Sequence, residues 1–246
     1  MTVLPIVARA VAYGAFGGPE VLRIDEVTVA APAAGEVRVR VAACGLNPVD
    51  AKLRAGRSRM QLPLPVRVGR EFSGWVEALG PGVEGFALGH RVFGSITQGC
   101  AAEHLVAPAE ALTRVPEGLD LPRAAGLALA GQTAWDALGS QPLTPGDTIV
   151  VSAAAGGVGG ILSQLAVARG LRVIGTAGPD NHDWLRARAV EPVAYGPGLR
   201  DRLASLTPNG IAAVFDQAGP ETIEAALALG VPAERINTIA TDASVY

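Results

Sequence analysis

The stretch Thr148-Ile-Val-Val-Ser-Ala-Ala-Ala-Gly-Gly-Val-Gly-Gly160 narrows the possible folds of this chain more than any other. A β-branched run enters a glycine-rich turn, and Ile161, Leu165 and Ala168 then fall on one helical face before Gly170 ends the segment. Strand, turn and helix in that order present the backbone around Ala155, Gly156, Gly157, Val158 and Gly159 at a helix N-terminus. Free N–H groups and the helix dipole together stabilise a pyrophosphate there. Against the dinucleotide fingerprint G-x-G-x-x-G the turn reads A-x-G-x-x-G, with Ala154 at the first glycine.

The pattern downstream supports the same reading. Strand-like runs at 172–176, 192–195, 211–215 and 235–240 alternate with helical segments at 181–189, 199–206 and 221–229, the first capped by Asp180 or Asn181. That alternation predicts a parallel sheet covered on both faces. The first 120 or so residues differ. Glu36-Val-Arg-Val-Arg-Val41 alternates polar and apolar with period two, and further strands are expected at 74–79, 90–93 and 102–106, with a first strand from Met1. Gly17-Gly18-Pro19, Pro32 with Gly35, and Gly80-Pro81-Gly82 punctuate them as turns, so a small barrel-like domain is expected. Ala- and Leu-rich residues 121–138 read as one or two linking helices.

Composition removes several function classes. The 246 residues carry 20 Lys and Arg against 23 Asp and Glu, a net charge of -3 with pI near 5.7, which lacks the basic footprint of a nucleic-acid binder. No apolar run approaches the roughly 18 residues of a membrane helix, and the start reads as a strand rather than a leader, so a cytoplasmic protein is expected. Cys44 and Cys100 stand far apart in no paired motif and read as small semi-buried hydrophobes. Lys52 is the only lysine.

An acidic residue about 20 positions past the fingerprint usually receives the ribose 2′-hydroxyl. Here Gly175-Thr-Ala-Gly-Pro179 stands at that point, with no carboxylate to repel a 2′-phosphate, so NADPH is favoured over NADH. Thr176, Ala177, Asn181 and Tyr195 are expected at this end of the cofactor, with His182 and Arg186 as further donors.

Ala154-Ala-Gly-Gly-Val-Gly159, Asn47-Pro-Val-Asp50, Gly69-Arg-Glu-Phe-Ser-Gly74, Val76-Glu-Ala-Leu-Gly-Pro-Gly-Val83, Gly89-His-Arg-Val-Phe-Gly94 and Gly131-Gln-Thr-Ala-Trp135 occur in one order along the chain. Together they resemble the zinc-independent quinone oxidoreductase and enoyl reductase branch of the medium-chain dehydrogenase/reductase superfamily. The resemblance implies an α/β architecture: a GroES-like β-rich catalytic domain over residues 1–125, then a Rossmann doubly wound parallel sheet over 126–246 whose last strand is missing. It implies NADPH-dependent hydride transfer to a small-molecule quinone or to the C=C of an α,β-unsaturated carbonyl.

In the zinc-binding branch a Cys and a His stand where this chain has Asn47 and Arg70, and an amide and a guanidinium cannot replace thiolate and imidazole on zinc. No metal is therefore expected. Cys100 with His104 leaves any coordination incomplete. The resemblance places Asn47 and Thr133 near nicotinamide and substrate, Ile239 and Ala240 on the far side of the ring, and Tyr195 beside the adenosine. Lys52, where some relatives have a tyrosine two positions after the motif aspartate, is a candidate oxyanion stabiliser or proton donor, beside the alternative of an exposed cation on a short helix, and Asp50 a turn cap. The family continues past the position of Tyr246, so a truncated or partly observed product is expected, with homodimerisation left open. Two alternatives stand beside the reductase reading: a biosynthetic, polyketide-type enoyl reductase or cyclase, and a non-catalytic NADPH-binding protein.

Overall fold

The computed structural model describes residues 3–240, which form two compact units dividing between Leu129 and Ala130. The first unit is built from β1 (Ile6–Tyr13), β2 (Arg23–Val29), β3 (Glu36–Gly45), the short helix α1 (Pro48–Arg54), β4 (Val66–Arg67), β5 (Glu71–Leu79), β6 (Arg91–Ser95), β7 (His104–Pro108) and β8 (Leu112–Arg114). They make two antiparallel sheets, ordered β2-β1-β4 and β7-β3-β5-β6-β8. Val37, Val39, Phe72, Val76, Val92 and Leu105 form the core of the five-stranded sheet. The expected alternation of β3 fails at one residue. A register shift falls between Arg38 and Val39, and Arg38 is buried with Val37 and Val39. Its guanidinium is compensated, donating from Nε to Glu77 Oε2 at 2.8 Å and from Nη1 to the Leu4 carbonyl at 2.7 Å. The first strand begins at Ile6 rather than at the chain start, and Met1 and Thr2 lie outside the described residues.

After α2 (Leu121–Ala124) and α3 (Ala128–Gly139), the second unit alternates β9 (Thr148–Val151), α4 (Gly157–Ala168), β10 (Arg172–Thr176), α5 (His182–Arg186), β11 (Val190–Val193), α6 (Leu199–Leu206), β12 (Ala213–Asp216), α7 (Pro220–Ala228) and β13 (Ile236–Thr238). All its strand pairs are parallel, in the order β11-β10-β9-β12-β13. Neighbouring residues on one strand serve opposite cores: Ile149, Val173 and Phe215 pack in one cluster, Val150, Ile174 and Val214 in the other. Both faces of a parallel sheet are covered by helices, which is why these strands are continuously apolar. The architecture is α/β, a β-rich unit of two antiparallel sheets followed by a parallel five-stranded sheet of the Rossmann type.

Several boundaries differ from the expectation. The helix predicted over 181–189 is a 3-10 turn at Pro179–Asn181 followed by α5 ending at Arg186, and Asn181 makes no side-chain cap bond. The strand predicted at 192–195 forms at Val190–Val193, leaving Tyr195 in the following loop. The strand predicted to run to Ala240 ends at Thr238, so Ile239 and Ala240 lie past its end, both exposed. No helix among the described residues is long and apolar enough to cross a membrane.

Candidate functional site

In the second unit, strand order reverses at β9, where β10 lies on one side and β12 on the other. Open parallel sheets bind ligands at the carboxyl ends of their strands beside such a reversal. A cleft of about 730 Å³ opens there, lined by Ala153, Ala155 and Gly156 after β9, Thr176 to Gly178 with Asp180 and Asn181 after β10, Tyr195 after β11, and Ala218 to Thr222 after β12. Its size is that of a small-molecule or cofactor pocket.

The glycine-rich turn is built by close approach. Ala153 sits in the left-handed region at φ 46°, a strained conformation for a residue with a side chain. It is held there by its N–H donating to Thr176 Oγ1 at 3.2 Å and by its carbonyl accepting from Gly156 N–H at 2.8 Å. Ala154 is fully buried and donates to the Thr176 carbonyl at 3.0 Å. Its methyl group, where the fingerprint has glycine, is accommodated by Gly175 opposite: a Cβ on Gly175 would lie 2.5 Å from Ala154 Cβ. A Cβ on Gly159 would strike the Ala153 carbonyl, so this glycine allows α4 to lie against the turn. Gly157 is exposed at the first helical position with open space around it, and Val158 packs on the core beneath.

Two further side-chain systems shape the cleft. Asp216, fully buried at the end of β12, accepts from Ser152 Oγ at 2.8 Å, Gly219 N–H at 2.9 Å, Ala218 N–H at 3.0 Å and Thr238 Oγ1 at 2.8 Å, tying β9, β12 and β13 together at their carboxyl ends. On the opposite wall Arg202 donates to the carbonyls of Ala194, Gly196 and Pro197 at 2.8–2.9 Å. Glu221 Oε1 accepts from Gly196 N–H at 2.6 Å, and this loop carries Tyr195, 61% exposed. Of the expected donors, Asn181 and Tyr195 line the cleft; His182 Nε2 lies 3.2 Å from the Ala177 carbonyl, and Arg186 is paired with Asp183 at 2.7 Å.

In the first unit Asn47 precedes α1, its N–H donating to Asp50 Oδ2 at 2.8 Å, so Asp50 caps the turn after Pro48. Burial raises the Asp50 carboxyl above its usual range, against the lowering effect of its backbone hydrogen bonds and of Arg70. Lys52 is exposed in the middle of α1. Asn47 Nδ2 donates to Glu71 Oε1 at 2.7 Å, and Arg70 Nε to the Thr97 carbonyl at 3.3 Å. Among the described residues, no three His, Cys, Asp or Glu side chains are grouped to hold a metal. Cys44 and Cys100 are free thiols, and burial is the largest cause pushing both up, Cys44 to about 12. Thr133 lies half-buried in α3 of the second unit.

The first unit matches the alcohol dehydrogenase GroES-like domain over residues 33–117. Over 226 residues the chain is 36% identical to a quinone oxidoreductase of Pseudomonas aeruginosa, covering 89% of this chain and 69% of that protein. It belongs to the quinone oxidoreductase family of the medium-chain dehydrogenases/reductases. The human quinone oxidoreductase is 38% identical over 175 residues, 70% of this chain, and the chain spans about half of that relative's length at 53%. A mycobacterial relative solved in complex with NADPH superposes with a TM-score of 0.79 at 35% identity, covering 90% of this chain and 70% of that one.

Within this family frame, the cleft brings together Ala155, Gly156, Thr176, Ala177, Asn181 and Tyr195 from the sequence-derived set. It does not include Gly157, Val158, Gly159, Ile239 or Ala240 in its lining. Sequence reasoning missed Asp216, Glu221, Arg202 and Glu71. For Asp216 a signal was available: a lone carboxylate ending the apolar run 211–215 and followed by Gly219-Pro220. Glu71 stood inside the motif Gly69-Arg-Glu-Phe-Ser-Gly74, but its partners Asn47 and Leu129 lie 24 and 58 residues away and those of Arg202 up to eight, and no local pattern links them.

Proposed function

We propose that this chain is an NADPH-dependent oxidoreductase that passes a hydride to a quinone or to the C=C of an α,β-unsaturated carbonyl, without zinc. The cleft at the carboxyl ends of β9, β10 and β12 carries the reading, because its floor is a helix N-terminus that only a glycine at 159 lets approach the strand. Its residues fit a dinucleotide: backbone N–H groups and the dipole of α4 offer a seat for the pyrophosphate. Thr176 and Ala177 stand at the end of β10, where the fingerprint would place the ribose-binding carboxylate, and Asn181 and Tyr195 supply neutral donors; Asp180 also lines this end of the cleft, so the preference for NADPH rests on those small residues and neutral donors. The mycobacterial relative solved in complex with NADPH supports the same cofactor. We assign residues 126–246 to the cofactor-binding domain and 1–125 to the catalytic domain.

When bound, NADPH supplies the hydride. This chain's own groups must then orient the acceptor and stabilise the negative charge that develops on its oxygen, the step where preorganised donors matter most. We assign Asn47 and Thr133 to nicotinamide and substrate positioning, Lys52 to stabilising that oxygen or returning a proton, and Ile239 and Ala240 to the far face of the ring. Asn47 and Arg70 at the positions of zinc ligands support a mechanism without a Lewis acid.

The test is the absorbance of NADPH at 340 nm with the purified chain and either 1,4-benzoquinone or 2-cyclohexenone, with and without a zinc chelator. Acceptor-dependent oxidation unchanged by the chelator is expected. NADPH binding without oxidation by either acceptor would refute the reductase reading and favour a non-catalytic binder.

A further inference from the structure

A carboxylate with almost no exposure sits beside the amide assigned to substrate positioning. Glu71 is 1% exposed at the start of β5. Its Oε1 accepts from Asn47 Nδ2 at 2.7 Å and its Oε2 from the Leu129 N–H at 2.8 Å. Space around it is closed: a Cβ on Gly45 would fall on Glu71 Oε1 and on the Ala125 carbonyl. Burying a carboxylate is costly, and a site with only structural needs is as well served by an apolar side chain of similar volume.

We propose that Glu71 is a positioning residue that fixes the polarity of the Asn47 amide, an inference that rests on the reductase reading above. Both oxygens of Glu71 act as acceptors, Oε2 from the Leu129 N–H and Oε1 from the amide, so the amide turns Nδ2 toward it. One Nδ2 proton is spent on Glu71. The second remains on a nitrogen whose orientation is set, a preorganised donor for the oxygen that gains charge when hydride arrives. Leu129 N–H fixes the far oxygen of Glu71, so the carboxylate cannot rotate away to follow the amide.

Glu71→Gln isolates this function because it keeps the volume. The Leu129 N–H requires the new side chain's Oε1, which leaves its Nε2 facing Asn47 and forces the Asn47 amide to turn over and withdraw its donor. Steady-state turnover of NADPH with 1,4-benzoquinone is measured for wild type, Glu71→Gln, Asn47→Ala and the double variant, with NADPH affinity measured alongside. The expectation is a fall in kcat of about 10²-fold in each single variant, the scale of losing one preorganised donor, with unchanged NADPH affinity. The double variant should be no worse than Asn47→Ala. Independent multiplication of the two losses, or full kcat in Glu71→Gln, would overturn the proposal.

A second readout does not depend on turnover. The chain has four asparagines, so a sample labelled with 15N at Asn shows four side-chain amide pairs. The Asn47 pair should carry one exchange-protected proton in wild type and lose that protection in Glu71→Gln. A pair unchanged by the substitution would refute the fixed amide. Wild-type protein that shows the protected proton but reduces no acceptor would instead overturn the reductase reading and, with it, the catalytic purpose given to Glu71.

Discussion

Two alanine substitutions two residues apart on α4 should have opposite effects on stability. At Gly157 nothing lies within 4 Å of an added Cβ, whereas at Gly159 the same atom would overlap the Ala153 carbonyl and lie 2.9 Å from Ala153 C and 3.1 Å from Ala154 Cα. Helix propensity favours alanine over glycine by up to about 1 kcal/mol at either site, less at the first helical position. Overpacking costs about 1–3 kcal/mol, and the upper half of that range applies to Gly159→Ala because its neighbours are backbone. Ala153 and Ala154 are pinned by hydrogen bonds to Thr176, so the turn cannot yield. Gly159→Ala should therefore lose about 1–2 kcal/mol net, which lowers Tm by about 2–8 °C if the chain unfolds as one unit. Gly157→Ala should match or slightly exceed wild type. Thermal unfolding followed by circular dichroism, with urea titrations alongside, reads both. A Gly159→Ala protein as stable as Gly157→Ala would refute the close-approach account of this turn.

Other outcomes follow from the same geometry. Ser152→Ala removes the hydroxyl that accepts from Gln217 N–H at 2.6 Å and donates to buried Asp216 at 2.8 Å; with the Gln217 N–H left without that acceptor, the change should cost about 1–3 kcal/mol in urea unfolding. Lys52→Met should lower turnover while NADPH affinity stays put; full activity would return Lys52 to the solvated surface. With Cys44 pushed up to about 12, the thiolate exists only as pH climbs toward that value. At pH 8 an ordinary thiol with pKa about 8.5 is ionised roughly 10³-fold more often, so iodoacetamide should label Cys44 at the ordinary rate only after unfolding.

Legibility in the sequence varied by the range of the interactions involved. The alternation of apolar strands and helices after Asp147 placed every strand of the parallel sheet, because burial on both faces leaves an unmistakable continuous apolar run. Boundaries were less legible. Pro179 opens a 3-10 turn that delays α5, and Arg38 points inward because Glu77, 39 residues away, and the Leu4 carbonyl await it. In the candidate site the glycine-rich turn was legible because its demands are local. The swap of small residues between Ala154 and Gly175, the Asp216 network and the contact between Glu71 and Asn47 were not, since each joins residues about 20 to 65 positions apart.

The central claim is that the glycine-rich turn of the second unit holds the phosphates of NADPH. Gly157→Asp tests it most directly, because an acid in the first helical turn suits the helix dipole and an added Cβ meets open space, so the fold should survive. Wild type and variant are titrated with NADPH, and with NADH for comparison, by nicotinamide fluorescence. Saturable NADPH binding that is stronger than NADH binding and lost in Gly157→Asp is the predicted result; equal NADPH affinity in a folded Gly157→Asp protein would contradict the claim.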